Sequence, residues 1–82
     1  MLIVGLFDKC FGKYTQFIPT PKIDVLKRDF KNTMKPGNVY HDSAEDFKCV
    51  VLVEINEETG VALPKEELAF ELDEIKNDPQ VQ

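Results

Sequence analysis

The sequence predicts an α+β fold, in which two β-hairpins form a small antiparallel sheet and one amphipathic helix packs on it. Three segments predict this ββαββ order: a strand–turn–strand pattern in residues 1–18, a helical apolar stripe in residues 21–35, and a second strand–turn–strand pattern in residues 46–63. Residues 64–82 are an acidic tail that is expected to add a short helix or strand. The 82 residues suffice for a single domain with a modest core.

The N-terminal segment predicts the first hairpin. Residues 2–7 are continuously apolar, which is typical of a strand buried on both faces. This run lacks the basic lead and cleavage site of a signal peptide, so we expect a first strand. Residues 8–12 form a turn, to which Gly12 contributes backbone freedom. Simple alternation through residues 14–18 predicts that Tyr14 and Phe17 lie on opposite faces.

The middle segment predicts one amphipathic helix. Thr20 is a candidate N-cap, and Pro21 suits the first helical position because its missing amide is not needed there. Apolar residues then follow at helical spacing: Ile23, Leu26, Phe30 and Met34. Pro36 and Gly37 are expected to end the helix near Lys35.

A second hairpin follows a predicted loop at residues 38–46. The next strand alternates cleanly, with five apolar residues on one face: Phe47, Cys49, Val51, Val53 and Ile55. Its other face is half apolar, which predicts a central position in the sheet. Residues 56–60 form the hairpin loop, with Gly60 at the position that favours positive φ, and residues 61–63 return as a strand.

The acidic tail is compatible with two structures. A helix starting at Pro64 is favoured, because Glu, Lys, Ala and Leu dominate and Leu68, Leu72 and Ile75 have helical spacing. Phe70 also alternates with Leu68 and Leu72, as in a strand. Residues 77–79 are expected to end this element, and the last residues are expected to fray.

The charges are sorted between the two halves of the chain. Residues 1–40 contain seven basic and three acidic residues, a balance of +4, whereas residues 41–82 contain three basic and twelve acidic residues, a balance of −9. This asymmetry predicts a basic binding surface and a separate acidic surface. The alternative is that both halves are ordinary solvated surface.

The titratable residues do not form a catalytic pattern, so we expect a protein that is not an enzyme and needs no cofactor. Glu57 and Glu58 lie on a predicted hairpin tip, which does not supply the buried environment that acid–base chemistry needs. His41, the only histidine, stands beside Asp42 and Ser43, but catalytic triads are assembled from separate segments. The four glycines are scattered and form no phosphate loop.

The two cysteines do not predict a metal site. Cys10 and Cys49 are far apart, and neither they nor the single histidine have ligand spacing. With no secretion signal, both thiols are expected to be reduced and to have packing roles.

Aromatic and basic residues interleave near the N-terminus, which is the pattern of a single-stranded nucleic-acid site, because bases stack on rings while lysines neutralise phosphates. The predicted hairpin contacts are Lys9, Phe11, Lys13, Tyr14 and Phe17. The predicted helix contacts are Lys27, Arg28, Lys31 and Lys35. The alternative is that Phe7, Phe17 and Phe30 belong to the core and leave only Phe11 and Tyr14 exposed.

The order of the short motifs resembles a viral family. The motifs are Phe7-Asp8-Lys9, Gly12, Phe17-Ile18-Pro19, Val25-Leu26-Lys27-Arg28-Asp29-Phe30, Ala44-Glu45-Asp46-Phe47 and Glu54-Ile55-Asn56-Glu57-Glu58-Thr59-Gly60. This succession, over residues 3–63, resembles the small nonstructural protein of gokushovirus-type microviruses, which are phages with single-stranded circular DNA. The chain departs from the family at Ile18, where an aromatic is usual, and at Ser43 and Ala44, where a proline precedes the acidic pair.

The resemblance implies a DNA-binding accessory protein in the infected bacterial cytoplasm that acts in genome replication. Our hypothesis is therefore single-stranded DNA binding through the hairpin and helix. The rival is a module that binds a host or phage replication protein through its acidic C-terminal half. DNA mimicry by the acidic surface is a third possibility. A homodimer is compatible with the exposed strand edges, and no membrane partner is expected because no apolar run approaches about 18 residues.

Overall fold

The computed structural model describes residues 1–77. Its elements are β1 (Leu2–Asp8), β2 (Lys13–Thr20), α1 (Ile23–Thr33), α2 (Val39–Asp42), a 3₁₀ turn (Ala44–Asp46), β3 (Phe47–Ile55), β4 (Ala62–Glu71) and α3 (Leu72–Lys76). The predicted α+β class, with a helix between two antiparallel hairpins, is confirmed.

The four strands form one antiparallel sheet in the order β2-β1-β3-β4. The predicted central position of β3 is confirmed, and β1 lies beside it. The N-terminal strand therefore has neighbours on both sides. Its prediction as a strand buried on both faces holds for residues 4–6, which are buried, whereas Leu2, Ile3 and Phe7 are half-buried. The edge strands are β2 and β4.

The core lies on one face of the sheet, between the strands and the helices. Val4 and Leu6 of β1 are fully buried there. The other main members of this cluster are Leu26, Phe30, Cys49, Val51, Phe70, Leu72 and Ile75. The rings of Phe30 and Phe70 meet edge to face with centroids 6.0 Å apart, so helix α1 is anchored directly on β4.

Helix α1 begins later than predicted. Thr20 is the last residue of β2 and pairs with Leu2, so it cannot also cap the helix; the N-cap is Lys22. The Thr20 hydroxyl instead donates to the backbone oxygen of Lys22 at 2.9 Å. The helix ends at Thr33, close to the predicted stop.

The predicted loop at residues 38–46 is wrong, because it contains α2 and the 3₁₀ turn. The side chain of Asn38 caps α2 by accepting a hydrogen bond from the Tyr40 amide at 2.8 Å. Tyr40 then packs edge to face against Phe30 and Phe47, and Ala44 is fully buried. Tertiary contacts of these apolar residues order a segment that looks like a loop in the sequence.

The predicted helix start at Pro64 is also wrong. β4 continues to Glu71, and only Leu72–Lys76 is helical. Pairing with β3 satisfies the backbone of β4, and Phe70 reaches the core from it, so packing overrides helix propensity. α3 ends at Lys76 with Asn77 as its C-cap, in agreement with the predicted stop at residues 77–79. The predicted fraying falls on residues 78–82, outside the described residues.

Two turn predictions are confirmed. Gly12 and Gly60 have φ values of 70° and 76° at the tips of the two hairpins. The Asn56 side chain supports the second turn by accepting hydrogen bonds from the amides of Glu58 and Thr59.

Candidate nucleic-acid interface

The second face of the sheet lies opposite the helices, whose buried residues all belong to the core cluster. Cross-strand partners share a face of a sheet. On this second face, Ile3, Gly5 and Phe7 of β1 each belong to one row of partners that crosses the four strands. The rows are Tyr14-Phe7-Lys48-Glu71, Phe17-Gly5-Val50-Leu68 and Pro19-Ile3-Val53-Pro64. We call these three rows, together with Leu52, the open face.

A bulge in β2 brings Tyr14 and Phe17 onto the open face together. Leu6 pairs with Gln16 but Phe7 pairs with Tyr14, so Thr15 is the extra residue between them. The prediction from simple alternation, which put the two rings on opposite faces, is therefore wrong.

The same kind of shift corrects the prediction for β3. The register changes between Val51 and Val53, and Val53 pairs with Ile3 of the open face. Val53 consequently does not share a face with Cys49, as alternation predicts. This bulge also places Leu52 over Gly5.

The aromatic rings of the open face form a connected cluster on its β2 side. Phe7 and Tyr14 meet edge to face with centroids 5.1 Å apart, and the centroids of Tyr14 and Phe17 are 6.2 Å apart. Tyr14 lies across Gly5, where a Cβ atom would come within 2.6 Å of its ring. Phe17 is 63% exposed, so the alternative that it belongs to the core is wrong.

The hairpin turn holds Phe11 outward at the end of this cluster. The buried Asp8 carboxylate accepts hydrogen bonds from the amides of Cys10 and Phe11, and the Gly12 amide donates to the Asp8 backbone oxygen. Phe11 is 73% exposed as a result. The Lys13 Nζ atom lies 5.9 Å from its ring centroid, within cation–π range.

Two further lysines contact the row of residues that contains Tyr14. The Lys48 Nζ atom lies 5.1 Å from the centroid of Phe7 on the open face. The Lys9 Nζ atom binds the Glu71 carboxylate at 2.7 Å and the Glu45 backbone oxygen at 3.1 Å. Lys9 lowers the pKa of Glu71, and any phosphate that approached Lys9 would compete with this carboxylate.

The predicted helix residues lie on the other side of the sheet. The Lys27 Nζ atom is 5.7 Å from the ring of Phe70, which belongs to the core face, and Arg28 and Lys35 are exposed on or just after α1. Lys31 is half-buried on the same helix. The structure thus brings Tyr14 and Phe17 together on the open face and leaves Phe11 and Lys13 side by side at the hairpin tip. Lys9 is bound to Glu71 of β4 instead. The helix residues Lys27, Arg28, Lys31 and Lys35 are separate from all of these.

Acidic residues concentrate on the β4 side. Glu57 and Glu58 are exposed on the hairpin tip, and Glu66 and Glu67 are exposed on β4. Glu54 binds Lys65 at 2.7 Å, and this lysine lowers its pKa. The aromatic cluster and the acidic strand therefore occupy opposite edges of one sheet.

Sequence reasoning missed three residues of this surface. Phe7 enters the site prediction only through the alternative that places it in the core, although alternation along β1 puts it opposite Val4 and Leu6. Lys48 and Leu52 belong to the half-apolar face of β3, and that pattern could have indicated them. Phe7 supports the Tyr14 ring, and Lys48 adds a positive charge beside it.

The cysteines and the histidine differ in exposure and in their partners. Cys49 is fully buried, and burial raises its pKa to about 12, whereas Cys10 is exposed and the predicted packing role for it is wrong. Asp46 raises the pKa of the Cys10 thiol. His41 pairs with Asp42 at 3.0 Å. Residues 1–77 contain no group of three or more potential metal ligands.

None of the helices in the described part of the chain has the length and apolar character required to cross a membrane. Comparison with protein-family models, with curated proteins and with solved structures gives no match to this chain. The resemblance to the microvirus protein accordingly stays a prediction.

Proposed function

We propose that this protein is a non-enzymatic accessory protein that binds single-stranded DNA on the β2 side of its open face. The observation that carries this proposal is the position of Phe17, exposed beside Tyr14 on a sheet surface that no helix within residues 1–77 covers. Unpaired bases stack on aromatic side chains displayed in this way. Each such contact contributes about 1–3 kcal/mol and tolerates any base.

Lysines near the rings supply the phosphate contacts in this proposal. Lys13 follows the hairpin tip, and Lys48 lies over Phe7 in the same row as Tyr14. Glu71 ends that row on β4 and would repel phosphate. The charge distribution therefore favours a strand that runs along β2 over one that crosses the sheet.

The helix residues Lys27, Arg28, Lys31 and Lys35 have a different role in this proposal. A strand stacked on Tyr14 could reach them only by passing around the β2 edge. They would then contribute mainly long-range attraction, which salt screens over about 8–10 Å at physiological ionic strength.

A titration of labelled oligothymidylate at two salt concentrations tests the proposal. We expect binding at low salt that weakens as salt rises, because phosphate contacts release counterions. A chain that binds no oligonucleotide at low salt contradicts the proposal. Binding that does not respond to salt contradicts the role of Lys13 and Lys48.

The biological setting belongs to the same proposal. A single-strand binder of this kind fits the predicted role in replication of a microvirus genome in the bacterial cytoplasm. Detection of the protein on single-stranded viral DNA in infected cells, by crosslinking and sequencing, tests this setting.

A second candidate is a module that binds a replication protein through the acidic half. The exposed pairs Glu57–Glu58 and Glu66–Glu67 favour it. Truncation after Leu63 cannot test it, because it would remove Phe70, Leu72 and Ile75 from the core. A full-length variant with the four glutamates changed to Gln is the appropriate probe. The second candidate is favoured if wild type captures a host partner that this variant does not capture, and if neither wild type nor the variant binds oligonucleotide.

Self-association is a separate question for the open face, because Leu68 and Phe17 expose apolar surface at its two edges. Sedimentation velocity at several protein concentrations determines whether a homodimer forms. If a dimer forms and the substitutions Phe17→Ala and Leu68→Ala dissociate it, the second copy binds the same face that is proposed for DNA.

A further inference from the structure

The spacing of two rings on the open face restricts the conformation of a bound strand. The centroids of Tyr14 and Phe17 are 6.2 Å apart, and their planes are inclined by 35°. Successive bases in a stacked strand are about 3.4 Å apart. Two neighbouring bases that occupy both rings must therefore separate from each other.

The surroundings hold Tyr14 in place. Its ring contacts Phe7 edge to face and lies across Gly5, with Leu52 on the other side of that glycine. These contacts prevent the Tyr14 ring from moving closer to the sheet, so the distance between the Tyr14 and Phe17 ring centroids is fixed. The separation between the two stacking positions is a property of the folded hairpin.

Direct readout of bases is not favoured at this pair of rings. The cross-strand neighbours of Tyr14 and Phe17 on β1 are Phe7 and Gly5, which offer no side-chain hydrogen-bond donor to a base edge. The donors close to the two rings are the Tyr14 hydroxyl and the flexible Lys48 ammonium, which the proposed function assigns to phosphate. Sequence preference is therefore expected to come from the cost of unstacking the strand. That cost is greater for adenine runs, which stack strongly on themselves, than for thymine runs.

We infer that the Tyr14–Phe17 pair selects unstacked, pyrimidine-rich single strands over duplex DNA and over self-stacked adenine strands. This inference rests on the proposed function. Duplex DNA is excluded because its paired bases are not available to either ring. Thymine runs occupy the two rings at the lowest free-energy cost, because their neighbouring bases stack only weakly on each other.

The test compares oligothymidylate, oligodeoxyadenylate and a duplex of the same length, using wild-type protein, Phe17→Ala and Leu68→Ala. We expect several-fold tighter binding of oligothymidylate than of oligodeoxyadenylate by wild type. The ratio should fall towards one in Phe17→Ala, where a single ring no longer requires unstacking. Leu68→Ala should keep the wild-type ratio, because Leu68 is exposed at the opposite edge of the same row.

The inference is overturned, while single-strand binding stands, by equal affinity for the two oligonucleotides, by tighter binding of oligodeoxyadenylate, or by a preference that persists in Phe17→Ala. Duplex binding as tight as oligothymidylate binding also overturns it. If wild type binds none of the three nucleic acids at low salt, the proposed function itself fails, and the inference fails with it.

Discussion

The ring of Tyr14 occupies the space that a side chain at Gly5 would need. A Cβ atom on Gly5 would lie 2.6 Å from Tyr14 Cδ1 and 2.7 Å from Leu52 Cδ1. The glycine in the middle of β1 is thus explained by packing on the open face, since a strand interior otherwise disfavours glycine. Through this contact a central strand determines where the aromatic surface lies.

Gly5→Ala should destabilise the protein by about 1–3 kcal/mol, because overpacking must displace Tyr14 or Leu52. Urea unfolding followed by circular dichroism measures the change. In a Leu52→Ala background the same substitution should cost less, since one of the two clashes is removed. An equal cost in both backgrounds would show that Leu52 takes no part in the clash.

Phe17→Ala should weaken oligothymidylate binding by about 1–3 kcal/mol, or about 5- to 150-fold, through loss of one stacking ring. Leu68→Ala is the matched control, because the two side chains are 63% and 59% exposed at opposite ends of one row. Fluorescence anisotropy gives both dissociation constants. Equal losses in the two variants would argue for a general apolar effect and against stacking.

The Lys9–Glu71 ion pair should make stability depend on pH. Lys9 lowers the pKa of Glu71 below the ordinary value of 4.5, so the pair stabilises the fold above that pH. This contribution is lost as the pH falls through the folded-state pKa. The difference in denaturation midpoint between wild type and Glu71→Gln should therefore be small but measurable at pH 7 and vanish in acid.

A second background isolates this ion pair from other carboxylates. In Lys9→Met protein the effect of Glu71→Gln should no longer change with pH, because the charge that perturbs Glu71 is absent. A pH dependence that survives in this background would mean that another cation, such as Lys48, controls the Glu71 carboxylate.

The two thiols should differ in reactivity. Cys10 is exposed, whereas Cys49 is fully buried with a pKa of about 12. In native buffer at pH 8 a thiol reagent should modify Cys10 and reach Cys49 only after denaturant is added. Asp46→Asn should speed the reaction of Cys10, because the Asp46 side chain raises its pKa. Rapid native labelling in Cys10→Ser would contradict this assignment.

The elements that depend on local pattern were predictable. The stripe of Leu26, Phe30 and Met34 predicts α1, the continuous apolar run predicts the strand β1, and the half-apolar second face of β3 predicts its central position. The glycines at positions 12 and 60 predict the hairpin tips, because left-handed backbone conformations favour glycine. In each case one structure alone satisfies the local periodicity or backbone geometry.

β4 shows where local pattern was insufficient. Its composition favours a helix, but hydrogen bonding to β3 and burial of Phe70 stabilise a strand instead. α2 formed for a similar reason, since Tyr40 contacts Phe30 and Phe47 from distant parts of the chain. Long-range contacts of this kind leave no periodic signal in the sequence.

The sequence by itself determined the fold class, the helix, the hairpin turns and the grouping of basic and aromatic residues near the N-terminus. Only the tertiary structure decided that Tyr14 and Phe17 share a face and that the helix cations lie on the other one. The first depends on the extra residue Thr15, which pairing with β1 turns into a bulge. The second depends on which sheet face covers the apolar stripe of α1, and burial of that stripe against Val4, Leu6 and Phe70 leaves the aromatic face open.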